Sequence, residues 1–216
     1  MTHALNERIK DIPLPLRMRG LPISDRGFPV PWFVAWLKGE PDFRCIDTPK
    51  LVLAVKKNLC WVCGQQKGRY HAFVIGPMCA VNRTTSEPPS HIECATYSVQ
   101  ACPFLTQPRM RRNEHLLPEE RLDPRGIHLE RNPGAACIWV TREFKPFDAG
   151  NGVLFQIGDP VNVLWFCEGR TATREEIEHS IDTGLPHLRA MAEKEGTPAI
   201  AELDRCIERA QPFLPV

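Results

Sequence analysis

The sequence has almost no net charge and no long hydrophobic run. Its 27 Lys and Arg residues nearly balance 26 Asp and Glu residues, so the formal net charge is only +1. That balance argues against the diffuse positive field of a histone-like protein and against a strongly acidic mimic. The longest apolar runs, such as residues 161–167, are far shorter than the roughly 20 residues needed to span a bilayer. We therefore expect a protein that has no membrane partner.

An export signal and the common catalytic motifs are also missing. The amino terminus, MTHALNER, carries acidic and basic side chains and no apolar stretch follows it, which predicts a cytoplasmic location. The chain contains no glycine-rich phosphate loop, no dinucleotide fingerprint, no HExxH and no GxSxG. These absences argue against nucleotide hydrolysis, hydride transfer and zinc-protease chemistry.

The remaining composition is that of a globular protein with one unusual number, its 9 cysteines. At 216 residues, the chain is long enough for one core, or for a core with a small satellite module. An odd number of cysteines in a reducing cytoplasm favours metal ligands and buried thiols over a disulfide framework. Four of them lie in apolar patterns and are predicted core thiols: Cys45, Cys137, Cys167 and Cys206.

The first half of the chain divides into two predicted segments before a connector. Residues 1–26 are rich in Pro and Arg without periodicity, which predicts an extended arm on the surface. Residues 27–105 predict a hairpin with strands over 32–37 and 42–46, then a helix over 48–58 and a cysteine-rich segment. Residues 106–131 are polar and predict a long connector.

The second half predicts strands and then helices. Residues 132–170 predict an antiparallel meander with strands over 136–141, 153–157 and 161–167. Residues 171–216 predict helices, with a capping box at 173–176, starts at Pro186 and Pro198, and stops at Gly184 and Gly196. This last segment has an excess of acidic residues, so the excess positive charge falls on residues 1–170. The sequence therefore predicts one compact α+β unit of antiparallel strands, with an embedded zinc module and a helical C-terminus.

A CxxC pair, Cys60 and Cys63, is followed by Gly64. This is the pattern of a zinc knuckle, in which two thiolates bind one ion and the glycine permits a sharp turn that directs backbone N–H groups to the sulfurs. The pair on its own needs two more ligands, because structural zinc is four-coordinate.

The second pair of candidate ligands, His91 and Cys94, lies at a predicted helix start. Ser90 and Glu93 have the spacing of a capping box, which predicts His91 as the first helical residue and Cys94 one turn later on the same side. The positive end of the helix dipole favours the thiolate form of Cys94 at that place.

A knuckle, a hairpin and then a helix with two ligands in its first turn resemble the treble-clef class of zinc fingers, here over residues 60–102. The resemblance implies a structural zinc ion held by Cys60, Cys63, His91 and Cys94. The segment between the two pairs is long and contains Cys79, so Cys79 in place of His91 is the main alternative ligand, and Cys102 is another. The rest of the chain resembles proteins of unassigned function from bacteria and their phages, which implies no activity.

Residues 76–91 are the candidate active loop if the protein is an enzyme, because a loop anchored at both ends often carries function. Cys79 with His71 or His91 is a candidate nucleophile and base. A treble-clef nuclease would use His71 as its base and Asn82 or Glu87 to orient it, but a second catalytic histidine is missing at any recognisable spacing. An enzyme, either a nuclease or Cys-dependent, is therefore the alternative hypothesis.

Aromatic and arginine residues favour binding over catalysis. Trp32 and Trp36 lie on the predicted hairpin, where a sheet covered on one side leaves rings free for bases or for a peptide. The candidate cationic contacts are Arg83, Arg109, Arg111 and Arg112. The main hypothesis is a protein with structural zinc that binds nucleic acid or a protein partner.

Overall fold

The fold was derived from a computed structural model, which describes residues 4–107, 110, 134–150 and 152–214. The predicted α+β class is confirmed: helices and antiparallel sheets alternate along these residues. Most of the predicted connector at 106–131 lies outside the described residues, as do the candidate contacts Arg109, Arg111 and Arg112.

The described strands form three antiparallel sheets, ordered β1-β2, β3-β5-β8-β9 and β4-β7-β6. Their bounds are β1 Val34–Leu37, β2 Glu40–Ile46, β3 His71–Ile75, β4 Thr84–Thr85, β5 Ala135–Thr141, β6 Phe144–Asp148, β7 Val153–Ile157, β8 Pro160–Cys167 and β9 Arg170–Thr171. The helices are α1 Thr48–Lys57, α2 Pro77–Asn82, α3 Ile92–Ala101, α4 Pro103–Thr106, α5 Arg174–Glu195 and α6 Thr197–Ala210.

The predicted hairpin and the helix after it are confirmed. Lys38 and Gly39, both with positive φ, form the two-residue turn between β1 and β2. Asp47 caps α1 by accepting the backbone N–H of Lys50. Asn58 in the left-handed conformation ends this helix and delivers the chain to Cys60.

Strand β5 lies at the centre of the largest sheet and is buried over its whole length. Successive side chains of a strand point to opposite faces, so β5 contributes to two cores. Cys137 and Trp139 pack on one face with residues of β3, β7 and α5, whereas Ile138 and Val140 pack on the other with α3. The sheet joins β3, from the cysteine-rich half, to β5 and β8 from the second half.

The predicted three-strand meander over residues 136–167 is wrong. Strands β5 and β8 pair directly, and the chain between them leaves the sheet as a β6–β7 hairpin whose other partner is β4. Strand β6 was missed because its residues, FKPFD, are mostly exposed and include a proline, which is typical of an edge strand.

The predicted break between Gly184 and Pro186 is also wrong. A single helix, α5, runs through both residues to Gly196, where a positive φ ends it. Gly184 has a packing role: a Cβ placed there would lie only 2.8 Å from the sulfur of Met78 on α2. The predicted capping box of Thr173 and Glu176 at the start of this helix is confirmed.

Candidate metal centre

The CxxC segment folds as a tight turn closed at both ends. Leu59 and Gln66 form an isolated antiparallel bridge, the Cys60 N–H donates to the Gln65 carbonyl (2.8 Å), and the Gly64 N–H donates to the Cys60 carbonyl (2.8 Å). Gly64 has φ +72, and a Cβ there would lie 2.6 Å from the indole of Trp32. Glycine is therefore needed at this position both for the turn and for the close approach of a tryptophan.

The helix that supplies the second pair of ligands begins one residue later than predicted. His91 is the N-cap of α3, and no side chain caps the helix, so the capping box predicted between Ser90 and Glu93 is not formed. Ser90 instead exchanges two backbone hydrogen bonds with Ala72 of β3. Glu93 accepts from Arg17 Nε (2.9 Å) in the N-terminal segment. Pairing with distant parts of the chain has replaced the local cap.

The structure brings Cys60, Cys63, His91 and Cys94 together. Their candidate ligand atoms all lie within 4.8 Å of one another, and all four residues are buried. Among the described residues, this is the one group of three or more His, Cys, Asp and Glu side chains close enough to hold a metal ion. The finding is compatible with a zinc-finger-like segment.

The His91 ring is oriented as a metal-binding histidine would be. Its Nδ1 lies 3.4 Å from Cys63 Sγ and 3.9 Å from Cys94 Sγ, whereas Nε2 lies 3.0 Å from the Gln66 carbonyl. The carbonyl can only accept, so Nε2 carries the proton and donates to it. That tautomer leaves the Nδ1 lone pair facing the sulfurs, as is usual where a second hydrogen bond orients a metal-binding histidine.

The sulfurs also receive backbone hydrogen bonds. The N–H groups of Cys63 (3.5 Å) and His91 (3.3 Å) both donate to Cys60 Sγ. The thiols of Cys63 and Cys94 donate to the same sulfur, and together these bonds lower the pKa of Cys60. The pKa values of Cys63 and Cys94 are raised, first by that donation and then by burial and the negative charge of Cys60. Three thiols at this spacing can all ionise only if a cation compensates their charge.

Lys67 is a buried cation close enough to Cys60 and Cys63 for their negative charges to affect its pKa. The residue is only 5% exposed, and its Nζ donates to the Leu59 carbonyl at 2.6 Å. Burial lowers its pKa to about 8, while the negative charges of Cys60 and Cys63 act in the opposite direction. Sequence reasoning missed Lys67, since nothing in the residue pattern marks a lysine as buried.

The N-terminal segment packs onto the metal centre. Ile9 and Met18, each 2% exposed, share one hydrophobic cluster with the three cysteines and with Tyr97 of α3. The Gln65 amide donates to the Arg17 carbonyl (3.1 Å). The predicted extended arm over residues 1–26 therefore includes a docked, buried portion that forms one wall of the site.

The alternative ligands lie elsewhere. The group of close ligand atoms contains neither Cys79 nor Cys102. Cys79 is on α2 and packs against the core around Phe73 and Trp139. Burial and the nearby charge of Glu87 raise the pKa of its thiol to about 11, and burial raises the pKa of Cys102 as well. Among the predicted core thiols, Cys137, Cys167 and Cys206 are buried and Cys45 is half-buried.

The other candidate catalytic residues have structural contacts. The His71 ring lies edge-on to Phe144 at 4.8 Å, and burial lowers its pKa to about 4. The Asn82 side chain accepts the Thr84 N–H (3.0 Å) where α2 ends, and the Glu87 N–H donates to Thr85 Oγ1 (3.3 Å).

The candidate binding residues divide into two groups. Trp36 is 47% exposed and Trp32 is half-buried against Gly64. The guanidinium of Arg83 lies 4.2 Å from the Trp139 ring centroid and 5.1 Å from that of Phe213, and Nη1 donates to the Gly158 carbonyl and Asp159. With only 12% of its side chain exposed, Arg83 is engaged inside the protein.

No described helix is both long enough and apolar enough to cross a membrane. Comparison of the chain with family models, with curated proteins and with solved structures gave no match.

Proposed function

We propose that this chain is a zinc-binding protein in which Cys60, Cys63, His91 and Cys94 hold one structural Zn²⁺ ion. The observation that carries the proposal is the buried cluster of three thiols and one imidazole nitrogen within 4.8 Å. Thiolate and imidazole donors without a carboxylate favour zinc over magnesium or calcium. The backbone N–H groups that donate to Cys60 and the carbonyl that orients His91 are the outer contacts such a site needs.

The ion is structural because the four donors complete a tetrahedral coordination sphere, and a catalytic zinc keeps one position open. The ion with three thiolates and a neutral imidazole has a net charge of about −1, and the buried ammonium of Lys67 offsets it. The order of a knuckle, strand β3, its bridge to Ser90 and helix α3 supports the resemblance to a treble clef. A reducing compartment such as the cytoplasm suits these free thiols.

The zinc fixes a binding surface for a protein partner or nucleic acid. Support comes from the docked N-terminal segment, because its apolar side chains share one hydrophobic cluster with the three cysteines. A metal ion that orders the cysteines therefore also orders this segment and the surface that it forms. An active loop at residues 76–91 is less well supported, because the raised pKa of Cys79 disfavours the thiolate that a nucleophile requires.

Metal analysis of purified variants tests the zinc site. We expect one zinc per chain in the parent protein, and loss of that zinc in Cys60→Ser and His91→Ala. Cys79→Ser and Cys102→Ser are the matched controls, because their thiols lie outside the group of ligand atoms. Zinc lost equally from the Cys79 variant, or a parent protein that binds no zinc under reducing conditions, would refute the proposed ligand set.

A further inference from the structure

An exposed tyrosine lies beside two arginines where strands β3 and β5 stop pairing. His71 of β3 is the partner of Thr141 of β5, and the residues just beyond this pair, Tyr70 and Arg142, are in contact. The Arg142 guanidinium donates to the Tyr70 hydroxyl (3.5 Å) and lies 5.6 Å from the centroid of its ring. Tyr70 is 41% exposed, and Arg69 and Arg142 are exposed as well. Arg69, Tyr70 and Arg142 are called the Tyr70 patch below.

Both arginines of the patch lack a carboxylate partner. Among the arginines that the structure describes after residue 26, Arg69 and Arg142 are the two that form no ion pair. Glu143, the acid next to Arg142 in the sequence, pairs with neither of them. The other described arginines of this part of the chain all contact Asp or Glu: Arg44, Arg83, Arg170, Arg174, Arg189, Arg205 and Arg209.

The two cations act on one hydroxyl group. The hydrogen bond from Arg142, and then the charges of Arg142 and Arg69, lower the pKa of the Tyr70 phenol. A hydrogen bond to a phenol does not neutralise an arginine as a carboxylate does. The patch therefore presents uncompensated positive charge at the edge of an exposed aromatic ring.

The patch is fixed by both halves of the fold. Tyr70 and Arg142 are held by the ladder between β3 and the buried strand β5. Arg69 follows the knuckle, whose Gln66 carbonyl accepts from His91 Nε2 (3.0 Å). The groups of the patch are thus positioned before a ligand arrives, which lowers the entropic cost of binding.

We propose that the Tyr70 patch binds single-stranded nucleic acid, with phosphate groups on Arg69 and Arg142 and a base stacked on the Tyr70 ring. The planar guanidinium matches the geometry of phosphate oxygens, and sites for single strands combine such cations with exposed aromatic rings. The inference rests on the proposed zinc centre, because zinc would hold the knuckle that positions Arg69.

Nucleic acid is favoured over a protein partner at this patch because every nucleotide carries both a negative charge and a planar ring. An acidic peptide would meet the two arginines and leave the tyrosine ring unused. A duplex would also leave it unused, since its bases stack on one another and are not free to stack on a side chain.

Fluorescence anisotropy of labelled oligothymidine of about 12 nucleotides, titrated with the full-length protein at low salt, tests the proposal. Tyr70→Ala should weaken binding about tenfold because it removes the stacked ring, whereas Tyr70→Phe keeps the ring and should bind within about twofold of the parent. Arg69→Gln and Arg142→Gln should each weaken binding about threefold and reduce the slope of log affinity against log salt concentration by about 1.

Arg189→Gln is the matched control for the arginine variants. Its side chain is 45% exposed, but it is paired with Asp204 (2.7 Å) on the C-terminal helices. This substitution should change neither the affinity nor the salt dependence. Zinc content and urea unfolding are measured for every variant, so that a loss of binding is not confused with a loss of the fold.

Three outcomes would overturn the proposal. Absence of binding at low salt by a folded protein with one zinc per chain refutes the nucleic-acid site and leaves the zinc centre standing. Equal affinity of the parent, Tyr70→Ala and Arg142→Gln shows that nucleic acid does not use the patch. Equally tight binding of a duplex, or of oligoglutamate of the same charge, shows that no base stacks on Tyr70. A parent protein without zinc refutes the proposed function itself, whatever its affinity for the oligonucleotide.

Discussion

The molecule buries cysteine in two different ways. In the metal centre, three thiols and His91 crowd within 4.8 Å, and the surrounding cluster is completed by side chains from the N-terminal segment. In the central sheet, Cys137 is isolated among apolar side chains, and burial raises its pKa well above the ordinary value. The first arrangement could hold a metal ion, whereas the second behaves as ordinary hydrophobic packing.

Helix α3 is the element that the two regions share. Cys94 and Tyr97 face the metal centre, whereas Ala95 and Val99, four residues apart on the helix, pack on the central sheet. The sheet holds one side of α3 with apolar contacts, and zinc would hold the other. The comparison implies that metal removal damages one region first and reaches the second only through this helix.

Zinc removal should therefore have the largest and most local effect. We expect a chelator to remove the metal's contribution, on the order of 10 kcal/mol for structural zinc sites, and to expose the amides of residues 4–30 and 59–67 to hydrogen exchange. The amides of β5 and β8 should keep their protection, because these paired strands are held by apolar cores. Hydrogen exchange followed by mass spectrometry distinguishes the segments.

Readdition of zinc is the control for that experiment, and it should restore protection to both segments. Simultaneous loss of protection in β5 and in residues 59–67 would contradict the comparison, since it would show that the sheet cannot remain folded without the metal centre.

Met18→Ala tests whether the docked N-terminal segment stabilises the metal side. Met18 is 2% exposed in the cluster that contains Cys60, Cys63 and Cys94, so truncation should lower the free energy of unfolding by about 2–4 kcal/mol. Leu16→Ala is the matched control: Leu16 is 76% exposed two residues away, and its loss should cost less than about 0.5 kcal/mol. Urea unfolding measures both.

Zinc content should stay at one per chain in both variants, because neither residue offers a ligand. Equal destabilisation by the two substitutions would mean that the segment does not dock as described.

The features that sequence reasoning predicted correctly are those decided by short-range chemistry. The first hairpin, the capping box of Thr173 and Glu176 and the stop at Gly196 depend on residues close to each other in the sequence. The convergence of the CxxC pair with His91 and Cys94 was also predicted, because metal chemistry limits which residue types can meet.

The errors arose where distant contacts replaced local ones. Glu93 pairs with Arg17 instead of capping α3, Gly184 accommodates Met78 instead of ending a helix, and β7 pairs with β4 and β6 instead of the central sheet. No periodic residue pattern in the sequence marks the burial of Lys67 or the docking of Met18. For Glu93, Gly184 and the pairing of β7 with β4, the contacting residue is far away in the sequence, where propensity and spacing carry no information.

The smallest expected effect is at Glu176, far from the metal. Arg170 donates to both of its carboxylate oxygens (2.9 and 2.6 Å) and the Thr173 N–H donates to Oε2 (2.9 Å), and these bonds lower its pKa to about 2. A carboxyl whose pKa is lowered by folding stabilises the fold above its ordinary pKa, and that contribution is lost as the pH falls toward about 2.

Glu176→Gln keeps an acceptor at the cap and removes only the charge, so it should cost about 0.5 kcal/mol near neutral pH. The difference between variant and parent should shrink steadily in acid, which urea unfolding at a series of pH values can follow. Protonation of the thiolates would release zinc from both proteins equally in acid, so this difference isolates the helix cap from the metal centre. A constant difference at every pH would show that the ion pair with Arg170 contributes nothing to stability.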